Sequence, residues 1–254
     1  MQFRDIKQKV QGFKNHLIIH KLKKAGNKIE IDRSLMGNIS LQVIGTNNFV
    51  RLANVQIGRF TSLRIQIYGD NNTVKIDGVK IAISLKIIMG QRNPCFGKIT
   101  GASFSINPGS SIESLTYGTA NANAFCHIGK NCMFSDNITL YNSDSHPIIS
   151  LSDGQVCNWV DGIRIGDHCW IGHGVTILKN SFIPDDCIIG YNSVVCGKFN
   201  VEHAAYAGNP AKLIKSGITW ASNGAKLGFI ENKGGGEKNY FRIKIKNSYA
   251  IRIK

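Results

Sequence analysis

The sequence lacks a long apolar run. No stretch of about 18 uninterrupted apolar residues occurs, which excludes a transmembrane helix. Residues 1–16 have neither the apolar run nor the small-residue cleavage site of a secretory signal peptide. We therefore expect a cytoplasmic protein with no membrane span.

Paired cysteines are also missing. The seven cysteines include no CxxC spacing, and their number is odd. In a chain that we expect to remain in a reducing compartment, this pattern predicts reduced, buried thiols rather than disulfides.

Acidic residues are scarce: 16 Asp and Glu oppose 31 Lys and Arg, giving a net charge of +15. The excess lies at the two ends. Residues 1–33 carry +6, residues 233–254 carry +6, and the long region between them carries only +3. An acidic partner is indicated, but a continuous positive groove through the central region is not.

A six-residue repeat is the main feature that the sequence does contain. Aliphatic residues recur at every sixth position, namely Ile165, Ile171, Ile177, Ile183, Ile189 and Val195, and earlier Ile128, Phe134 and Leu140. This period fits neither a helix nor one long alternating strand. It predicts an all-β solenoid in which three hexads form each turn of a coil and the aliphatic residues fill its interior. Cys169 and Cys187, which are three hexads apart, should then stack on adjacent turns.

The first half repeats less regularly. The segments that begin at Ile44 and Tyr68 match each other at a distance of four hexads, each with an Asn-Asn pair after a glycine. Residues 84–120 drift in phase, which predicts bulges. We place the coil at residues 25–209.

The flanking segments differ from the coil. Residues 1–24 form a predicted N-terminal helix, because apolar residues follow a 3-4-3-4 spacing over residues 3–23. It should cap the coil; its basic polar face also allows peripheral attachment to a membrane. After Asn209-Pro210 we predict a helical segment over residues 210–232, followed by a basic hairpin or tail over residues 233–254.

The segment from Ile163 to Lys215 resembles the hexapeptide-repeat acyltransferases and is similar to those that O-acetylate bacterial polysaccharides and sugars. It contains IRIGDHCWIGHGVTILKN and, further on, YAGNPAKLIK. The resemblance is strong over residues 125–215. It implies a left-handed parallel β-helix, a homotrimer, and acetyl-CoA bound in the groove between neighbouring coils.

Members of that family carry an essential histidine before a loop that interrupts the coil, and a tryptophan at a set distance after that histidine. His146 and Trp170 match this pattern, with the loop at residues 147–162. Imidazole can accept a hydroxyl proton near neutral pH, so His146 is the predicted general base. Asp144 either orients the His146 ring or binds the local backbone.

The resemblance also implies a coenzyme site. The matching positions are His173, Tyr191, Cys196, Gly197 and Lys198, together with Lys212 and Lys215 for the phosphates. Trp170 would face the pantetheine arm or the acceptor. No metal ion is expected.

The sequence leaves two alternative functions. His168 and His173 are close in the sequence, as in the zinc-dependent carbonic anhydrases of the same fold. However, Asp167 follows Ile165-Gly166 where a histidine would be needed, and Cys132 occupies the place of the third ligand. A non-catalytic scaffold that displays basic ends is the second alternative, but no nucleic-acid-binding motif is present.

The acceptor is predicted by elimination. One short N-terminal helix cannot supply the large helical domain of serine acetyltransferases, and no strand-helix-strand pattern opens the chain, as in many nucleotide-sugar N-acetyltransferases. We therefore expect O-acetylation of a capsular or lipopolysaccharide sugar, in an acidic polymer that the basic ends attract. A small acceptor, such as a free sugar, a nucleotide-sugar amine or an antibiotic, is the alternative.

Overall fold

The coil of parallel strands is present in the computed structural model, which describes residues 3–35, 38–58, 60–90 and 98–221. Its strands form three sides, which we call faces 1, 2 and 3. The chain runs through them in that order on each turn. We call the bends between them corners 1–2, 2–3 and 3–1.

Face 1 is a seven-stranded parallel sheet. Its strands are β1 (Lys28–Ile31), β3 (Phe49–Ala53), β6 (Thr73–Asp77), β9 (Ser103–Ile106), β11 (Phe125–Ile128), β14 (Gly162–Ile165) and β17 (Phe182–Ile183).

Faces 2 and 3 share two long strands, β7 (Lys80–Met89) and β10 (Ser111–Thr119), which bend around corner 2–3. Face 2 also contains β4 (Gln56–Ile57), β12 (Met133–Phe134), β15 (Trp170–Ile171), β18 (Ile188–Ile189) and β20 (Ala204–Gly208). Face 3 also contains β2 (Ile39–Ile44), β5 (Ser62–Asp70), β13 (Ile138–Tyr141), β16 (Thr176–Leu178) and β19 (Val194–Val195). The short β8 (Ile99–Thr100) pairs with the end of β5.

The predicted hexads form the core. All six in-phase residues from Ile165 to Val195 are completely buried. Ile44 pairs directly with Tyr68, as the match between their segments predicts. Cys169 and Cys187 are buried and precede the paired residues Trp170 and Ile188, so they stack on adjacent turns. A bulge between Ile112 and Ser114 accounts for part of the phase drift.

A long insertion leaves the coil at corner 3–1. Arg164 pairs with Phe182, one regular turn of three hexads further on. Phe125 instead pairs with Gly162, which lies much further along the chain. The difference is the loop at residues 142–161, which begins five residues before the predicted loop at residues 147–162 and therefore includes His146. Gly162 is needed where the chain returns, because a Cβ there would lie 2.5 Å from the Phe125 ring.

Carboxylates and asparagines hold the corners. Asp70, Asp167 and Asp185 each accept a backbone N–H at 2.7 or 2.8 Å from the neighbouring turn. Eight corner asparagines adopt a positive φ, a conformation that asparagine tolerates better than most residues; they are Asn47, Asn54, Asn71, Asn123, Asn131, Asn137, Asn180 and Asn192. Several acidic side chains are therefore used to fix turns.

The predicted N-terminal helix is present as α1 (Phe3–Lys24). Asn15 Nδ2 donates to Ile39 O at 2.8 Å, and Ile19 joins the core, so α1 covers the first turn of the coil. A 3-10 helix follows β1 at Arg33–Leu35. In the described part of the chain, no helix has the length and apolar character that a membrane span requires.

Two predictions need correction. The first described residues of the predicted helical segment 210–232 form a strand, β21 (Ala211–Ser216), because their backbone pairs antiparallel with β20; tertiary pairing outweighs helix propensity here. Of the six described cysteines, Cys157 and Cys196 are exposed rather than buried. The rest of that segment beyond residue 221, the tail at residues 233–254 and Cys95 lie outside the described residues.

The chain also divides into two units, residues 1–220 and residues 221–254. The first unit contains α1 and every strand of the coil named above.

Candidate active site

His146 lies in the loop that leaves corner 3–1. It is exposed and borders an open hollow of about 260 Å³. The polar residues of the hollow are Asn121, Ser143, Asp144, Ser145, His146 and Asn158, and its apolar wall includes Pro147, Val156, Trp159 and Val160. An exposed imidazole beside a polar hollow can reach a bound hydroxyl.

Asn158 ties the two ends of the loop together. Its Nδ2 donates to Asp144 Oδ2 at 2.7 Å and to the His146 carbonyl oxygen at 2.9 Å. Its Oδ1 accepts the Ile148 N–H at 2.8 Å. The backbone around His146 is therefore held by one amide side chain.

Asp144 is paired with a cation from the next turn. Lys179 Nζ lies 2.7 Å from Asp144 Oδ2 and also donates to the Asn158 carbonyl oxygen at 2.7 Å. Burial alone would raise the pKa of Asp144, but hydrogen bonds from Lys179 and Asn158 and the charge of Lys179 hold it below its ordinary value. Asp144 is thus a carboxylate in the loop framework; its orientation of His146 stays a prediction.

Three predicted coenzyme residues share the corner of His146. Cys196, Gly197 and Lys198 directly follow β19 at corner 3–1, and β19 lies two turns beyond the strand β13 that leads to His146. The Gly197 N–H approaches Ser181 Oγ at 3.4 Å, and the Gly197 carbonyl oxygen accepts the Phe182 N–H at 3.1 Å.

The other predicted coenzyme residues lie elsewhere. His173 and Tyr191 are at corner 2–3, with ring centroids 5.9 Å apart, and His173 Nδ1 is hydrogen-bonded to Asp136. Lys212 and Lys215 are exposed on β21. The strands of face 3 therefore separate His173 and Tyr191, at corner 2–3, from the three predicted coenzyme residues at corner 3–1.

Trp170 is not beside His146 within one chain. It begins β15 on face 2, next to corner 1–2, and its ring centroid is 6.1 Å from that of Trp220. Its Nε1 is buried and has no acceptor among the described residues. The whole width of face 1 separates this position from corner 3–1.

His168 and His173 lie at opposite ends of β15. His168 Nδ1 is 2.5 Å from Asp186 Oδ1, and its ring stacks on Trp220 with centroids 4.4 Å apart. Each histidine thus binds its own carboxylate rather than a shared ligand. In the described ranges no group of three His, Cys, Asp or Glu side chains is placed to hold a metal ion.

The sequence did not identify Asn158, Trp159 and Lys179 as site residues. Lys179 is remote from Asp144 in the sequence, and no repeat phase relates the two. The one available signal was that residues 147–162 lie beside His146 in the chain.

No family model matches the sequence. Over 94 residues the chain is 35% identical to the polysialic acid O-acetyltransferase of Escherichia coli O1:K1 / APEC, covering 37% of this chain and 30% of the relative. Over 93 residues it is 32% identical to the enzyme of the same name from Neisseria meningitidis, covering 37% and 43%. The chain therefore spans less than half the length of these curated relatives.

The likeness to solved structures extends further along the chain. A crystal structure of the polysialic acid O-acetyltransferase OatWY matches with a TM-score of 0.51 and 26% identity, covering 77% of this chain and 87% of that one. The coil is a left-handed parallel β-helix, and the chain is similar to the hexapeptide-repeat acyltransferases. Within that class, it is similar to the polysialic acid O-acetyltransferases.

Proposed function

We propose that the protein transfers an acetyl group from acetyl-CoA to a hydroxyl of a capsular or lipopolysaccharide sugar. The observation that carries this proposal is the exposed His146 at a hollow where the coil is interrupted. The likeness to two polysialic acid O-acetyltransferases supports the reaction and the acceptor class.

The proposed reaction is direct transfer. His146 accepts the hydroxyl proton while the hydroxyl oxygen attacks the thioester carbonyl carbon. The tetrahedral intermediate then collapses, the carbon–sulfur bond breaks, and the imidazolium returns the proton to the leaving thiolate. The products are the acetyl ester and coenzyme A, and the histidine is regenerated.

The coenzyme is proposed to lie against face 3. His173 and Tyr191 would border it at corner 2–3, and Cys196, Gly197 and Lys198 at corner 3–1. Charged hydrogen bonds from Lys212 and Lys215 suit its phosphates. This position leads from the antiparallel pair β20–β21 back toward the corner that carries His146.

A homotrimer would complete the site. Because His146 and Trp170 lie at different corners of one chain, a closed head-to-tail contact can bring His146 of one copy near Trp170 of the next. Apolar side chains are exposed along corner 2–3 in the earlier turns: Phe60 by 72% and Ile83 by 54%. We infer that this corner points to the three-fold axis and that face 1 stays open to solvent.

An acidic acceptor would suit the exposed cations at corner 3–1 and on face 1. Lys198 shares the corner of His146, and Lys75 and Arg164 are exposed on face 1. Activity on an acidic polysaccharide should then fall steeply as salt is added. Salt-insensitive activity on neutral sugars would argue against this part of the proposal.

The test measures thiol release from acetyl-CoA with purified capsular polysaccharides, including polysialic acid, and follows acetyl uptake by mass. His146→Ala should lower kcat by about 10²- to 10⁴-fold. His127→Ala is the matched control, because His127 is a half-buried histidine on face 1, bonded to Ser105 at 2.9 Å; it should change kcat less than threefold.

Each other outcome has a defined meaning. Full activity of His146→Ala would overturn the mechanism. Turnover of free sugars, nucleotide-sugar amines or antibiotics, without turnover of polymers, would show that the acceptor is a small molecule and not a polysaccharide. No turnover of any acceptor by the unmodified protein would favour a non-catalytic scaffold.

A further inference from the structure

Trp159 projects into solvent beside His146. It is 73% exposed, yet it forms part of the wall of the hollow that His146 borders. The same loop carries a second large apolar residue, Leu151, which is fully exposed and does not line the hollow. Exposure alone therefore does not distinguish Trp159; its position does.

The backbone that carries Trp159 is fixed on both sides. Asn180 Nδ2 donates to the Trp159 carbonyl oxygen at 2.8 Å, and Asn180 Oδ1 accepts the Asp161 N–H at 2.7 Å. Lys179 holds the preceding carbonyl oxygen, that of Asn158, at 2.7 Å. An aromatic ring on a fixed backbone loses little conformational entropy when a ligand packs on it.

The hollow combines this ring with hydrogen-bonding groups. The amide of Asn121 and the hydroxyls of Ser143 and Ser145 belong to the same lining. A pyranose needs both kinds of partner, because its C–H groups form an apolar, weakly positive face that suits an aromatic ring. Its hydroxyls require donors and acceptors in place of water.

We propose that Trp159 is the platform on which a pyranose ring of the acceptor stacks, with a hydroxyl directed at His146. This inference rests on the proposed function and narrows it: the acceptor is a pyranose-containing saccharide, and Trp159 sets its position. Trp159 acts by binding the sugar and takes no part in proton transfer.

A second copy of the chain is the competing occupant. Packing protein over this hollow would bury the Asp144–Lys179 ion pair, whose side chains are 34% and 18% exposed. Removing such a pair from water carries a desolvation penalty, which disfavours packing a protein surface over the hollow itself, even where a neighbouring copy lies beside it. A sugar leaves the polar side of the hollow hydrated, so the charge distribution favours the saccharide.

The experiment measures equilibrium binding of short polysialic acid fragments to the His146→Ala protein, so that no turnover is needed. Trp159→Ala should weaken binding by about tenfold or more, as truncation of a stacked tryptophan does. Trp159→Phe, which keeps an aromatic face, should remain within about threefold. Leu151→Ala is the matched control and should leave the affinity unchanged.

A kinetic readout separates positioning from general damage. In protein that retains His146, Trp159→Ala should raise KM for the saccharide about tenfold and leave KM for acetyl-CoA unchanged. Equal weakening by Trp159→Ala and Leu151→Ala would overturn the inference, as would loss of self-association in Trp159→Ala, which would make the ring an interface residue.

The two proposals can fail separately. Saccharide binding that depends on Trp159, without any acetyl transfer, would contradict the proposed function and support Trp159 as the platform. Acetyl transfer by Trp159→Ala with an unchanged saccharide KM would support the proposed function and contradict the role of Trp159.

Discussion

Face 1 and the other two faces have the same kind of inward residue, but their outward residues differ, most clearly in the later turns. Inside, aliphatic side chains from all three faces are completely buried. Outside, face 1 exposes Lys28, Arg51, Lys75 and Arg164, whereas the later strands of faces 2 and 3 present the half-buried Met133, Ile188, Leu178 and Val194. The earlier strands differ less, because Arg64 and Lys80 are exposed on faces 3 and 2, and Phe49 is half-buried on face 1. The inward positions specify the coil; the outward positions determine what each side contacts.

The net charge of the central region does not reveal this difference between the faces. The central region carries only +3 because its acids nearly balance its bases. Several of those acids lie at the corners, however, and hold backbone N–H groups there. Another, Asp77, lies on face 1 and accepts from Asn54 at 2.9 Å. Glu30, which belongs to the N-terminal segment, lies on the same face, 2.9 Å from Arg51.

The largest expected effect is on assembly. If this effect is not observed, the proposed difference between face 1 and the other two faces is wrong. Ile83→Lys places three like charges together if corner 2–3 points to the trimer axis, which opposes association by several kcal/mol. Light scattering should show monomers for Ile83→Lys. Thr73→Lys, on face 1 of the same turn, should remain trimeric. The reverse result would show that face 1, and not corner 2–3, lies at the interface between copies.

The inward residues should respond alike on every face. Ile183 on face 1, Ile189 on face 2 and Ile177 on face 3 are completely buried, so replacing each by Ala should lower the free energy of unfolding by about 2–5 kcal/mol. The outward Thr176→Ala should change it by about 0.5 kcal/mol or less. Urea unfolding at one protein concentration measures this. A much smaller loss on one face would show that the faces do not share one core.

The smallest effect concerns the corner where faces 3 and 1 meet. The pKa of Asp144 is below its ordinary value of 3.8, so its ion pair stabilises the loop above that pH and is lost as the pH falls through the lowered value. A carbon-13 NMR titration of the carboxyl should show a midpoint below 3.8. Lys179→Met should move the midpoint toward that ordinary value, and Lys198→Met, one turn away, should not. An unchanged midpoint in Lys179→Met would mean that Lys179 does not cause the shift.

The sequence predicts the inward side of the coil well because buried positions repeat at a fixed period. The residues from Ile165 to Val195 and the pairing of Ile44 with Tyr68 follow from spacing alone. It also predicts the loop beside His146, since the period stops there. Both features depend only on the sequence within one or two turns of the coil.

Other contacts depend on register across insertions of unequal length. On face 1, Lys75 pairs with Ser105, Ser105 with His127, and His127 with Arg164, and the three separations along the chain all differ. No single period relates these residues, so the sequence cannot place them in one column. Likewise, no repeat period relates Lys179 to Asp144, so the sequence does not predict their ion pair. The incorrect helix at residues 211–216 reflects a pairing partner, β20, that local propensity does not reveal.

The corner carboxylates have an evolutionary consequence. Because Asp70, Asp167 and Asp185 fix the turns through backbone N–H groups, the geometry of the coil does not depend on the residues that point outward from the strands. Substitutions at those outward positions can change the charge of a face without altering the turns. A lineage with this coil can therefore change the charge that it presents to a partner through a few surface substitutions, each nearly neutral for folding.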